Sequence, residues 1–154
     1  MKLRIDIDND INEEEIIIKC KSVDQTIEKL QKAILDITQK NPKLIFYKDE
    51  TEYYLTLEEI LFFETSDNTI YAHTKNNVFT VKYRLYELDS MLPNNFIRIS
   101  KSTILNIDHI YSITKNIASS SLIEFGGTHK QVYVSRQYYK NLKIILEERR
   151  NYEK

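Results

Sequence analysis

Within residues 44–73 the chain reads Leu44-Ile45-Phe46-Tyr47, Tyr53-Tyr54-Leu55-Thr56, Ile60-Leu61-Phe62-Phe63 and Ile70-Tyr71-Ala72-His73. These runs are short and rich in aromatic and β-branched residues, which suit a pleated, half-buried surface. Asp49-Glu50, Ser66-Asp67-Asn68 and Asn76-Asn77 separate them with turn chemistry, so Val78 to Lys82 is expected to pair back as a hairpin. A brief helix with Leu85, Leu88 and Leu92 on one side follows and ends at Pro93. Further strands are expected at Phe96–Ile99, Ile110–Thr114 and Leu122–Phe125, and Gly126-Gly127 turns the chain into Gln131-Val132-Tyr133-Val134. A last helix starts at Ser135 with Tyr139, Leu142, Ile145 and Leu146 as its apolar face. Strands do not alternate with helices, so the pattern predicts a mainly β fold and disfavours a doubly wound nucleotide-binding sheet.

Upstream, Leu3, Ile5 and Ile7 alternate with Arg4, Asp6 and Asp8, and Glu15 to Cys20 reads as a second strand. Val23, Ile27, Leu30, Ile34 and Ile37 then step at helical spacing. Ser22 with Gln25 resembles a capping box, Asp24 suits the helix start and Lys40 its end, and Asn41-Pro42 stops it. Residues 1–42 are therefore expected to form a strand–strand–helix appendage. Residues 43–148 are expected to form the main domain and residues 149–154 a tail.

A chain of 154 residues buries enough surface to fold without a disulfide or metal, and its single cysteine, Cys20, points to a reducing compartment. No apolar run reaches the length of a membrane span, and acidic residues rather than a signal-peptide core follow Met1-Lys2-Leu3. These features suggest a cytoplasmic location. The formal net charge of −1 hides an asymmetry: residues 1–81 carry 10 Lys/Arg against 16 Asp/Glu, and residues 82–154 carry 12 against 7. A local basic field can attract a polyanion despite a neutral total.

Enzyme chemistry has no motif here. His73, His109 and His129 lack metal-ligand spacing and read as half-exposed strand or loop residues. Cys20 reads as an inert thiol in an apolar strand, and Glu58-Glu59 and Glu13 to Glu15 as solvated charges. No cofactor or small-molecule substrate is expected. Two stretches fit an anion better than a purely structural role. In Phe96-Ile97-Arg98-Ile99-Ser100-Lys101-Ser102-Thr103 a strand runs into a cation flanked by hydroxyls, which suits phosphate oxygens, and Lys also reaches guanine acceptors. In Val134-Ser135-Arg136 the residue Ser135 reads as an N-cap, which puts Arg136 in a first helical turn where the dipole disfavours a cation unless an anion docks.

From about Lys43 to Leu146 the chain resembles the LytTR family of bacterial DNA-binding domains. The matching residues are Ile60-Leu61-Phe62-Phe63-Glu64, Leu85-Tyr86-Glu87-Leu88, Leu92-Pro93, the run Phe96 to Asn106, and Val134-Ser135-Arg136-Gln137-Tyr138, closing with Leu142. Ser100 stands where many members carry histidine. The resemblance implies an elongated arrangement of antiparallel β-sheets with short helices, in which loops rather than a recognition helix enter successive major grooves and read direct repeats of double-stranded promoter DNA. It implies Lys101, Arg136 and Asn68 as base contacts, with Asp67 in the same loop. Ser102 and Ser135 then hold phosphates, Arg84 and Lys82 are backbone contacts, and Asn106 shapes a turn. It further implies a homodimer on DNA. Residues 1–42 are too short for a receiver domain, and a membrane-bound regulatory protein is the partner this suggests. The alternatives are a protein-interaction or oligomerisation module with a basic face, or a small-molecule-sensing domain.

Overall fold

The computed structural model describes residues 1–12, 14–38, 42–116 and 118–152 and divides into two compact units, residues 1–37 and 38–154. The expected helix end at Lys40-Asn41, and Glu13 of the acidic cluster, lie outside the described residues.

In the first unit, helix α1 spans Gln25–Thr38. Asp24 caps it: its Oδ1 accepts from the amides of Thr26 and Ile27, each at 3.0 Å. The cap is thus Asp24 rather than Ser22, and Val23 falls outside the helix. Ile27, Leu30 and Ile34 keep a half-buried stripe. The two strands expected at Leu3–Asp8 and Glu15–Cys20 do not form, and Cys20 is exposed rather than buried. Alternation supplies an apolar face, but a strand also needs a neighbour for its N–H and C=O groups, and no ladder among the described residues reaches these segments.

The second unit holds strands β1 (Phe46–Lys48), β2 (Thr51–Tyr53), β3 (Phe62–Ser66), β4 (Thr69–His73) and β5 (Val78–Val81), then helix α2 (Leu85–Met91). Strands β6 (Phe96–Arg98), β7 (Thr103–Asn106), β8 (Ile110–Thr114), β9 (Ser121–Phe125) and β10 (Gln131–Val134) follow, and helix α3 (Arg136–Tyr152) closes the chain. Residues 149–152, expected as a tail, complete the last turn of α3, where Arg149 pairs with Asp108. Every pairing is antiparallel. One sheet runs β2-β1-β5-β4-β3-β7-β6 and the other β10-β9-β8.

The large sheet is covered on both faces. Phe63, Ala72, Phe79, Phe96 and Ile104 join Leu85 and Leu88 of α2 in one core. Their neighbours Phe62 and Leu105 point the other way, into a second core with Ile123, Phe125, Val132, Val134 and Leu142. The continuous run Ile60-Leu61-Phe62-Phe63 is what a strand buried on both faces requires. Strand β7 is buried at all four positions and lies outside the strands the sequence predicts, because a polar residue at each end of Thr103-Ile104-Leu105-Asn106 leaves no alternation.

Asn106, 1% exposed, locks the join. Its Nδ2 donates to Ile60 O at 3.0 Å, while its Oδ1 accepts from Asn95 Nδ2 at 3.0 Å and from the Asp108 amide at 3.1 Å. Truncation leaves the buried Ile60 carbonyl without this donor. Asn106→Ala should lower unfolding stability by about 2–4 kcal/mol in urea titration. A loss within error of zero would show that these bonds do not hold the strands.

Candidate nucleic-acid interface

Antiparallel pairing brings four connections to one end of the large sheet. The β3–β4 hairpin closes with Ser66 opposite Thr69, leaving Asp67 and Asn68 as a two-residue loop at φ 49° and 60°. Positive φ at both positions is the type I′ geometry that Asn and Asp tolerate better than other side chains. β5 ends at Val81 opposite Ile70, so Lys82 leaves the sheet beside that turn and Arg84 precedes α2. The β6–β7 connection, residues 99–102, sits at the same end because the Thr65 amide donates to Ser102 O at 2.8 Å. The start of α3 is fastened there as well, the Ser135 amide donating to Ile99 O at 3.0 Å. From β5 to β6 is four strand spacings, roughly 19 Å at ~4.8 Å each.

Lys101 and Arg136 are exposed on this row, with no side-chain partner among the described residues. Arg98 instead turns inward: Nε donates to Ser100 O at 2.7 Å and Nη2 donates to Lys101 O, so its guanidinium fixes the loop that presents Lys101. In the sequence Arg98 carries no signal of this role beyond its place in the Phe96–Thr103 stretch, just before a strand gives way to a loop. Ser102 is exposed, its Oγ 3.3 Å from that of Ser100. Lys82 lies over the Tyr47 ring, 4.3 Å from its centroid. The Ser135 hydroxyl is buried and unpaired, so this side chain does not face the row as the phosphate role expects. Seven of the eight residues singled out in the sequence therefore share one end with outward or exposed placement, and Ser135 contributes its backbone.

The family of LytTr DNA-binding domains matches residues 50–147. The chain belongs to the LytTR family. Curated relatives of this LytTR chain match it across nearly its whole length. An uncharacterised HTH-type transcriptional regulator of Staphylococcus aureus strain NCTC 8325 is 30% identical over 146 residues, covering 95% of this chain and 98% of that protein. Its counterpart in the bovine strain RF122 is 30% identical over 153 residues. Among solved structures, the LytTr DNA-binding domain of a Bacillus cereus protein described as a methyl-accepting/DNA response regulator superposes with a TM-score of 0.63. It is 24% identical and covers 68% of this chain and 97% of that one. The mostly antiparallel β architecture expected from the LytTR resemblance is thus the one observed. Although the relatives are named HTH-type, no two described helices of this LytTR chain are joined by a short turn.

The opposite end of the sheet carries different chemistry. His73 stacks on Phe62, with ring centroids 4.2 Å apart, and its Nε2 lies 2.8 Å from Glu64 Oε1, poorly aligned for a hydrogen bond. Lys130 Nζ donates to Thr74 O at 2.7 Å and Asn77 O at 2.6 Å, tying the β9–β10 turn to the β4–β5 turn. Burial lowers the His73 pKa, with Lys130 adding to the effect and Glu64 opposing it; burial also lowers that of Lys130. Among the described residues no cluster of His, Cys, Asp and Glu fits a metal, and no helix is long and apolar enough to cross a membrane. With its value depressed, folded His73 holds fewer protons than unfolded His73, so its contribution is complete above the ordinary 6.5 and is lost as pH falls below it. His73→Gln should flatten the fall in melting temperature on acidification from neutrality, and parallel curves for the two proteins would contradict this.

Proposed function

We propose that the chain is a cytoplasmic, non-catalytic transcription regulator that binds double-stranded DNA sequence-specifically and occupies direct repeats as a homodimer. The observation that carries this reading is the row of connections at one sheet end with unpaired Lys101 and Arg136. The naming of the Staphylococcus aureus relatives as transcriptional regulators supports it.

In this reading Lys101 and Arg136 donate to guanine O6 and N7 in the major groove, and Asn68 pairs with adenine N6 and N7. Asp67, a carboxylate beside DNA, is suited to accept from cytosine N4 rather than to meet phosphate. Lys82 and Arg84 neutralise phosphates, and Ser102 adds a hydroxyl to the backbone contacts. Phosphate contacts set position and affinity, and base contacts set sequence. The inward-turned Ser135 hydroxyl is left out of the phosphate set.

Selection from a random duplex pool should recover spaced direct repeats, and no enrichment would remove the specific-regulator reading. On a recovered site Arg136→Ala or Lys101→Ala should cost about 1–3 kcal/mol and relax one base position. Lys82→Ala should weaken all sequences alike and reduce the salt slope by about one contact. Equal losses on specific and non-specific DNA for Arg136→Ala would assign it to the backbone instead.

A further inference from the structure

The first unit exposes a run of large apolar side chains. Leu3, Ile5 and Ile7 are 91, 78 and 89% exposed, and Ile11, Ile16, Ile17 and Val23 are exposed as well. Arg4 Nε donates to Asp6 Oδ1 at 2.7 Å, a contact between residues two apart in the sequence. Paired as a strand, Lys2, Arg4, Asp6 and Asp8 would share one face, and Leu3, Ile5 and Ile7 the other.

This segment is complementary to itself in one register. Laid antiparallel about Ile5, Lys2 stands opposite Asp8, Arg4 opposite Asp6 and Leu3 opposite Ile7, with Ile5 against its own copy. Unlike charges meet at every polar pair and apolar residues at every other. A slip of two residues puts Arg4 against Arg4 or Asp6 against Asp6 on the two-fold axis. A parallel pairing sets each charge on its like, and a slip of one sets apolar residues against charges. Like charges directly opposite destabilise a ladder and unlike charges stabilise it.

We propose that residues 2–8 form a homodimerisation arm, an antiparallel two-stranded ribbon between two copies of this chain. The occupant is a second copy because the charge pattern is isologous, the signature of a two-fold interface. Such a ribbon needs a second layer over its apolar face. Ile27 and Leu30 of α1 supply it. The inference does not rest on DNA binding.

The test is analytical ultracentrifugation of the full chain without DNA, with circular dichroism confirming that each variant keeps its β-sheets. The wild type should dimerise. Arg4→Glu and Asp6→Arg should each raise the dimer dissociation constant on the order of tenfold or more, since each turns two attractive pairs into repulsive ones. Mixed in equal amounts, the two variants should form a heterodimer, because Glu at 4 then faces Arg at 6 and Asp6 faces Arg4. The double variant Arg4→Glu/Asp6→Arg should restore self-association. A monomeric wild type, single variants that dimerise like wild type, or single variants that fail to associate on mixing would each overturn the proposal.

Discussion

The fold depends on pairing β3 with β7 in the middle of a sheet that is buried on both sides. Phe62 meets Leu105 and Phe63 meets Ile104, and each pair divides its side chains between two cores. One residue of slip would exchange the contents of both cores at once, so the register is fixed by burial on two faces rather than one. The side chain of Asn106 and the bond from its own amide to Leu61 O, at 2.9 Å, add a polar lock at the end of that pairing. Register here decides what happens at the other end of the strands, because it sets which connections emerge side by side.

Those connections come from distant parts of the sequence, and pairing makes them neighbours. The acidic residues Asp49 and Glu50 turn at the far end of the sheet, and Glu58 and Glu59 line a shallow groove there with Thr74 to Asn77. Lys82, Lys101 and Arg136 emerge at the near end. A net charge of −1 is therefore compatible with a locally cationic surface. Arg98 shows how such a surface is stiffened: it uses its donors on loop carbonyls, which leaves Lys101 free to face outward.

Much of this was legible in the residues. The turn chemistry of Asp67-Asn68 and the aromatic runs located the hairpins, and the cation-hydroxyl pattern around Lys101 located a loop that the structure places at the sheet end. Strand β7 was not legible, because double burial removes alternation and its polar ends, Thr103 and Asn106, resemble loop residues. The inward turn of the Ser135 hydroxyl and the structural use of Arg98 depend on the meeting of α3, β6 and β7, which no local window contains. The arm at Leu3 to Asp8 differs in the opposite sense: its residues alternate, but no ladder among the described residues pairs with it, so no strand forms there.

We propose one end of the seven-stranded sheet as the DNA surface. Amide hydrogen exchange of the full chain with and without its selected duplex tests it most directly. Protection should gather in residues 66–69, 82–85, 99–102 and 135–137, with little change at 74–77 and 126–130. Protection confined to the opposite end, or spread evenly over the domain, would contradict the account.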